Sequence, residues 1–378
     1  MSMIPLSVPN LKGNELKYVS ECINTEWVSS EGSFVDSFAD KVKEYTGAQY
    51  AIPCVNGTSA LQTSLRMLNL LQNDEVILPS LTFIAPVNAV RYFNANPIFF
   101  DCDKYFNINI DQIDNFLKKN TKTIKGELVN KITGNKIKAI IPVNIFGNAL
   151  DIESLLEVAE KYDLPVIEDA SEAIGTKNYN NKHAGTDGLT GCLSFNGNKM
   201  ITTGGGGMIL TNDKEYAEKM SYLTRQAKDD KVFYIHNDVG YNFRMNNIAA
   251  AIGLAQIENL DKFLKIKKSN FLLYKKLIKD KENIELLDVP IEGNSNHWFY
   301  SLRIKQKYNK TLEDLIYHLH NNQIQARPIW KLNHQQLPYK NCYHEDLSNS
   351  NKYVKSIINI PCSTNLTEME IEKVVCHL

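Results

Sequence analysis

The chain has 378 residues, enough for a large domain and a smaller one and for a sizeable buried core. Hydrophobic residues make up 43% and charged residues 22%, and 42 basic residues nearly balance 43 acidic ones. This composition excludes a disordered chain, and the net charge of -1 provides no field that would attract nucleic acid. Only six of the basic residues are arginine, so guanidinium groups for anion recognition are scarce.

No apolar run is long enough for a membrane span, and the first ten residues lack the pattern of an export signal. Seven cysteines are scattered without a Cys-x-x-Cys pair, which is typical of reduced thiols. We therefore expect a cytoplasmic protein without membrane or nucleic-acid partners. No His-Glu-x-x-His motif or close Cys/His cluster occurs, so we expect no metal.

Short apolar runs alternate with helix-period segments through the first two thirds of the chain, which is typical of a parallel sheet covered by helices. A helix is predicted over 58–71, where Leu61, Leu65, Leu68 and Leu71 recur at spacings of four and three. The clearest predicted strands are Glu75–Leu78, Pro97–Phe100, Ile137–Val143, Pro165–Ile167 and Gly207–Leu210.

The longest helical pattern covers 247–279 and leads into the last part of the chain. Beyond it the pattern changes to a strand over His297–Ile304, a helix over Leu312–His320 and a proline-punctuated tail. The sequence therefore predicts a large α/β domain over residues 1–250 and a small α+β domain over residues 251–378.

The most informative segment is 164–212, in which a strand delivers Glu168 and Asp169 to its carboxyl end. Open parallel sheets bind ligands at that edge, and a buried carboxylate there needs a cation. The alternative is that Asp169 only caps the next helix. Thirty positions after Asp169 comes Lys199, preceded by Ser194 and followed by four consecutive glycines.

Two nucleotide-binding motifs do not fit this segment. The P-loop pattern is absent because Lys199 precedes its glycines, and G-x-G-x-x-G is absent because the glycines are consecutive and lead into a strand. An acid, a lysine and a phosphate-binding serine instead match pyridoxal phosphate. Its aldehyde needs a lysine amine and its ring nitrogen needs an acidic partner, and the same amine can later move a proton.

This segment and three others resemble the DegT/DnrJ/EryC1/StrS family of pyridoxal-phosphate-dependent nucleotide-sugar aminotransferases. The other stretches are AIPCVNGTSAL (51–61), LPSLTFIAPVNAV (78–90) and VGYNFRMNNIAAAIGLAQ (239–256), and the resemblance covers essentially the whole chain. It implies the aspartate-aminotransferase fold (fold type I), with a mixed, mostly parallel seven-stranded sheet between helices. The stretch TEWVSSEGSFVDSF (25–38) and the segment around Lys199 are most similar to aminotransferases of the legionaminic-acid pathway.

The resemblance assigns roles to individual residues. Lys199 matches the Schiff-base lysine, and Asp169 matches the carboxylate that faces the pyridine nitrogen. Phe83 matches an aromatic that stacks on the cofactor ring, although a phenylalanine in an apolar segment is more often a core residue. Asn242 matches an asparagine that reaches the cofactor phosphate of the partner subunit, which implies a homodimer with shared active sites. The residues that match the phosphate-binding set are Gly57, Thr58, Ser59 and Ser194.

For two of these residues, Thr58 and Glu172, more than one role is chemically reasonable. Thr58 stands where a helix begins, so it is either an N-cap or a phosphate ligand, and the two roles are compatible. Family members usually have Gln or His three residues after the aspartate, where this chain has Glu172, as in some perosamine synthases. A second carboxylate beside an anionic phenolate is repelled unless one of them holds a proton. We therefore expect Glu172 to be protonated or turned toward the sugar.

The implied reaction transfers an amino group from L-glutamate to the 4-keto group of a UDP- or GDP-linked 2-acetamido-2,6-dideoxy-4-hexulose. The product would be a 4-amino sugar for a legionaminic-acid-like surface glycan. Alternatives are a GDP-perosamine synthase, a same-fold 3-dehydratase, which has histidine in place of Lys199, and an inactive sensor. Further matches, each also explicable as an ordinary solvated side chain, are proposed sugar or nucleotide contacts: Trp27, Ser29, Ser30, His183, Arg244, His334 and Tyr339.

Overall fold

The computed structural model describes residues 3–230 and 232–378. The strands within them are β1 (Tyr50–Cys54), β2 (Glu75–Pro79), β3 (Asn96–Phe100), β4 (Thr121–Ile124), β5 (Glu127–Asn130), β6 (Ile137–Ile140), β7 (Ile167–Asp169), β8 (Thr190–Ser194), β9 (Gly207–Thr211), β10 (Lys228–Asp230), β11 (Ile235–His236), β12 (Ile284–Leu286), β13 (Tyr300–Ile304), β14 (Arg327–Pro328) and β15 (Ile357–Ile360).

The α-helices alternate with these strands. They are α1 (Glu15–Asn24), α2 (Ser33–Thr46), α3 (Gly57–Arg66), α4 (Ala85–Arg91), α5 (Ile110–Asn120), α6 (Ile152–Glu160), α7 (Lys214–Thr224), α8 (Asn247–Ile257), α9 (Leu260–Ile278), α10 (Leu312–Asn321), α11 (Ser348–Tyr353) and α12 (Glu368–Cys376). Single 3-10 turns cover Ile145–Gly147, Asn333–Gln335 and Leu337–Tyr339.

A seven-stranded sheet forms the centre of the protein. Two runs of paired strands, β1-β9-β8-β7 and β3-β2-β6, are joined by parallel bridges from Ile140 to Val166 and from Val143 to Asp169. Strand β9 is antiparallel to both of its neighbours, and the other pairs are parallel. The predicted fold class, a mixed and mostly parallel sheet between helices, is confirmed.

Helices cover both faces of this sheet because its strands are apolar on both sides. Every residue of β2 and β9 is buried. One face packs against α3, α4 and α7, and the opposite face packs against α5 and α6, with α2 and α8 covering the β1-β9 end of that opposite face. Parallel strands enclosed in this way place their carboxyl ends at one accessible edge.

A second, antiparallel sheet in the order β12-β13-β15-β14 lies in the last part of the chain and packs against α9, α10 and α12. Helix α9 contributes Leu260 and Phe263 to the core of the central sheet and Phe271 and Tyr274 to the core of the second sheet. The division at residue 250 stays a prediction. None of the described helices has the length and apolar character needed to cross a membrane.

The single long helix predicted over 247–279 is wrong in one respect. The helical pattern is interrupted at Glu258 and Asn259, which separate α8 from α9. Asparagine favours helix ends because its short side chain competes for nearby backbone hydrogen bonds. The apolar periodicity runs across this break, so the pattern alone does not reveal it.

Candidate active site

A cavity of about 560 Å³ opens at the carboxyl edge of the central sheet, between that sheet and segments of the second one. It brings together residues from loops that are more than one hundred positions apart in the sequence. Seven of the residues singled out from the sequence line it, namely Gly57, Thr58, Phe83, Asp169, Glu172, Ser194 and Lys199.

Lys199 points its amine into this cavity from the turn that follows β8. Its backbone N–H donates to the carbonyl of Asn196 at 3.0 Å, which fixes the turn. The Nζ atom lies 3.6 Å from Oε1 of Glu172 and 4.2 Å from the ring centre of Trp298, and the side chain is 13% exposed. A largely enclosed amine that still faces a cavity can react with a bound carbonyl group.

Asp169 ends β7 and is buried at the wall of the same cavity. Its Oδ1 accepts the backbone N–H of Ser171 at 3.1 Å. Burial raises the pKa of this carboxyl group, and the charge of Lys199 acts against that rise. No basic side chain in the described residues lies within 4.0 Å of its oxygens, so a bound cation would complete its environment.

Glu172 is a second buried acid beside Lys199. Its Oε2 accepts the backbone N–H of Phe146 at 2.8 Å. Burial raises the pKa of Glu172 to about 7, with the charge of Lys199 as the main opposing effect. At neutral pH this side chain therefore exists in both protonation states, and it can donate or accept a proton.

The opposite wall is built for an anion. Helix α3 begins at Gly57, and the side chain of Asn56 caps it by accepting the N–H of Ser59 at 2.7 Å. The N-cap is thus Asn56 and not Thr58, and Ser59 is engaged with the cap instead of lining the cavity. The first N–H groups of a helix have no acceptor within it, which makes this end suitable for phosphate.

Gly57 is required here by space. A Cβ added to it would lie 2.9 Å from the Cβ of Ser194 and 3.2 Å from the Oγ of Ser171. The hydroxyl groups of Ser171 and Ser194 therefore lie at the start of α3, beside a position that has no room for a side chain. An amine, an unpaired buried carboxylate and this anion-binding helix start, all in one cavity, fit the aldehyde, ring nitrogen and phosphate of pyridoxal phosphate.

Phe83 stands at the mouth of the cavity and is 53% exposed, with its ring 6.3 Å from that of Trp330. The alternative that Phe83 is a core residue is therefore wrong. Its exposure and position suit contact with a flat ligand, and its stacking role stays a prediction.

Asn242, Arg244 and Ser30 lie elsewhere, in a separate cavity of about 1060 Å³. Arg244 pairs there with Glu31 at 2.6 Å and with Asp36 at 3.6 Å. Within one chain these residues do not meet Lys199, so any role at a cofactor phosphate requires a second subunit.

His183 is placed away from both cavities, which speaks against its predicted contact with a substrate. The ring is buried, Nε2 accepts the N–H of Gly175 at 2.8 Å, and Nδ1 bonds to the carbonyl of Ala184 at 2.7 Å. Burial lowers the pKa of His183 to about 4, so the ring is neutral at physiological pH. Its structural role is to hold the chain around Gly175.

The other predicted sugar or nucleotide contacts are also outside the Lys199 cavity. Nδ1 of His334 bonds to the hydroxyl of Ser80 at 2.8 Å, and the hydroxyl of Tyr339 bonds to Asn88. Trp27 and Ser29 are exposed beside α1. The structure does not bring these four to the reactive lysine of the same chain.

Several residues of the cavity wall were not singled out from the sequence, among them Trp298 and Arg327. Both come from the second sheet and its approach segment, far from the recognised motifs. Arg327 is the only arginine at this cavity among the six, all of which lie in the described residues. The scarcity of arginine is the one signal that could have drawn attention to it.

Comparison with known proteins agrees with this geometry. A model of the DegT/DnrJ/EryC1/StrS aminotransferase family matches residues 9–378. GDP-perosamine synthase of Caulobacter vibrioides is 37% identical, over 99% of this chain and 97% of its own length. EpsN of Bacillus subtilis, described as a putative pyridoxal phosphate-dependent aminotransferase, is 33% identical over 98% of this chain and 94% of its own.

Among solved structures, the Helicobacter pylori aminotransferase PseC, involved in the biosynthesis of pseudoaminic acid, superposes with a TM-score of 0.90. It is 25% identical, and the match covers 100% of this chain and 98% of PseC. The fold, the cavity and the family match lead to one conclusion. The chain belongs to the DegT/DnrJ/EryC1/StrS aminotransferase family and is a sugar aminotransferase that depends on pyridoxal phosphate.

Proposed function

We propose that the protein transfers the amino group of L-glutamate to the 4-keto group of a nucleotide-linked 6-deoxyhexose, forming a 4-amino sugar for a surface glycan. The observation that carries this proposal is the convergence of the Lys199 amine, the Asp169 carboxylate and the start of α3 in one cavity. Pyridoxal phosphate, when bound, supplies an aldehyde that carries the amino group and a ring that accepts electrons.

Different residues of the chain would then bind different groups of the cofactor. Asp169 keeps a proton on the ring nitrogen, because a buried carboxylate stabilises an adjacent cation. Lys199 would hold the aldehyde through its amine and, when that amine is free, would move a proton between the donor carbon and the cofactor carbon. Gly57, Thr58 and Ser194 hold the phosphate. One cavity serves donor and acceptor in turn, so ping-pong kinetics are expected.

Glutamate as donor is supported by the charge of the cavity wall. Arg327 is exposed at the start of β14 and lines the cavity that contains Lys199. A guanidinium group pairs with a carboxylate through two parallel hydrogen bonds, which suits the carboxylate of an amino-acid donor.

Replacement of Arg327 by Gln is expected to raise KM for L-glutamate about 10- to 100-fold, which is the cost of losing a charged hydrogen bond. The half-reaction with the amino sugar, run in reverse, should change by less than threefold. Stopped-flow spectra of each half-reaction separate the two effects. Equal losses in both half-reactions would contradict a role in donor recognition.

Glu172 is proposed to share a proton with Lys199 or with the bound cofactor oxygen. Because its pKa is raised to about 7, it loses its proton as the pH rises through 7. In the Glu172→Gln variant the side chain stays neutral at every pH. We expect that variant to keep turnover within about tenfold and to lose the step near pH 7 in the profile of kcat/KM. A step that persists in the Gln variant would assign it to another group.

Two acceptor sugars are supported by different observations. The motifs around Lys199 resemble enzymes of the legionaminic-acid pathway, which favours a 2-acetamido-2,6-dideoxy-4-hexulose. The relatives at 37% and 38% identity are GDP-perosamine synthases, which favours a GDP-linked 4-keto-6-deoxymannose. Incubation with glutamate and each keto sugar, with product mass as the readout, decides between them. Absence of 2-oxoglutarate with either sugar would contradict the proposed reaction.

A homodimer with shared sites is proposed for the same enzyme. Asn242 and Arg244 occupy a cavity of their own, where a second subunit could use them. Beside Asn242 the chain exposes Val232, Phe233 and Val239, each more than 70% accessible, which is unusual for large apolar side chains without a partner. Mixing inactive Lys199→Ala with inactive Asn242→Ala protein should restore activity through hybrid dimers. No recovery after subunit exchange would contradict shared sites.

A further inference from the structure

Trp298 is the buried aromatic neighbour of the reactive lysine. It is 2% exposed and lines the cavity, and its ring centre lies 4.2 Å from Nζ of Lys199. Its indole N–H donates to the carbonyl of Asn198 at 2.7 Å, one residue before that lysine. The indole is therefore tied both to the backbone and to the amine of the same turn.

Lys267 holds Trp298 from the other side. This lysine of α9 is 3% exposed, and its Nζ donates to the carbonyls of Trp298 and Cys362, each at 2.5 Å. Within the described residues no carboxylate lies within 4.0 Å of that Nζ. Burial lowers the pKa of Lys267, and the two carbonyls replace part of the lost solvation. Burying an amine costs free energy, and here the buried amine of Lys267 fixes the position of the Trp298 carbonyl group.

Asn296 connects the two neighbours of Lys199. Its side-chain carbonyl accepts the backbone N–H of Trp298 at 2.9 Å, and its amide donates to the carbonyl of Glu172 at 2.8 Å. His297 between them adopts a left-handed conformation with φ of 54°, which is costly for a residue with a Cβ. Asn296 and Lys267 hold this strained turn from its two sides. The indole of Trp298 and the side chain of Glu172 are therefore kept at a fixed separation, with the Lys199 amine between them.

We propose that Trp298 is a positioning residue for Lys199, and that its ring face stabilises the ammonium group that Lys199 becomes when its free amine has accepted a proton. The face of an aromatic ring attracts a cation, and this attraction is strongest in a site sheltered from water. Between accepting a proton and giving it up, Lys199 would have to stay beside the reacting carbon, and the face of the indole would hold the charged side chain there. The inference depends on the proposed role of Lys199.

The test uses the full-length protein loaded with pyridoxamine phosphate, which leaves the Lys199 amine free. Acetic anhydride reacts with amines and not with ammonium groups, so labelling of the Lys199 peptide across a pH series reports how firmly its proton is held. Exposed Lys214 serves as the internal reference. Trp298→Leu should label roughly 3- to 30-fold faster than wild type at pH 8, because the ring face is lost. Trp298→Phe keeps a ring face and should stay within about twofold of wild type.

A second variant, Lys267→Met, tests the proposal independently in the same labelling experiment. Loss of the ammonium that fixes the Trp298 carbonyl should speed Lys199 labelling in the same direction as Trp298→Leu, whereas Lys268→Met, at the exposed neighbouring position of α9, should leave it unchanged. If Lys267→Met does not fold, the two Trp298 variants alone decide the outcome.

Equal labelling in wild type and Trp298→Leu, or an equal change in the Leu and Phe variants, would overturn the proposal. Borohydride reduction of the wild type loaded with pyridoxal phosphate distinguishes this failure from a wider one. If that reduction does not label Lys199, the proposed function fails. If it labels Lys199 while Trp298→Leu behaves as wild type, only the role of Trp298 is lost.

Discussion

Lys199→Ala is expected to reduce amino transfer at least ~10⁴-fold, because one side chain is both the attachment point and the proton carrier. The fold should survive, since the Lys199 side chain faces a cavity and its amine lies 3.6 Å from Glu172, while the backbone hydrogen bond of Lys199 is kept by alanine. Turnover of the keto sugar with glutamate and thermal unfolding measure the two quantities.

The matched control is Lys214→Ala, which removes a lysine that is exposed on α7 and paired only with Glu218. Turnover of this variant should equal that of wild type. Small primary amines added to Lys199→Ala should restore part of the lost rate, because they can carry the proton that the side chain no longer carries. An alanine variant with full turnover would remove Lys199 from the reaction.

Asp169→Asn is expected to lower kcat about 10²- to 10³-fold while cofactor affinity falls much less. The amide has the shape of the carboxylate but cannot keep a proton on the ring nitrogen, so the loss appears in the reaction and not in binding. Stopped-flow rates of the glutamate half-reaction and a titration with pyridoxal phosphate provide the comparison.

Glu168→Gln is the control for this variant because Glu168 is the adjacent buried acid. Its carboxylate accepts the N–H groups of Gly185, Asp187 and Gly188 at 2.7 to 2.9 Å and lies outside the Lys199 cavity. We expect the Gln variant to lose stability while kcat per folded molecule stays within about threefold of wild type. Similar kcat losses at both positions would mean that any disturbance of β7 reduces activity.

The catalytic centre could be predicted from the sequence because its residues sit on strand ends. Asp169 closes β7 and Ser194 closes β8, and the two strands are parallel neighbours in register. The carboxyl ends of such strands meet at one edge, so the convergence of two residues twenty-five positions apart can be predicted without knowledge of the remaining chain. The start of α3 joins them because β1 enters the same sheet beside β9.

The second half of the cavity could not be predicted in this way. Trp298 and Arg327 reach it through packing of the antiparallel sheet, and contacts of such long range leave no local periodicity in the sequence. His183 illustrates the opposite error. The resemblance predicted a sugar or nucleotide contact for His183, and its polar loop favoured a solvated side chain, but the ring is buried and both ring nitrogens bond to backbone groups.

Reduction of the yellow holoenzyme with sodium borohydride, followed by mass mapping of its peptides, tests the central claim most directly. We predict one phosphopyridoxyl group per chain on the peptide that contains Lys199, and none in Lys199→Ala protein. A label on any other lysine, or an unlabelled wild type that still transfers the amino group, would contradict the account.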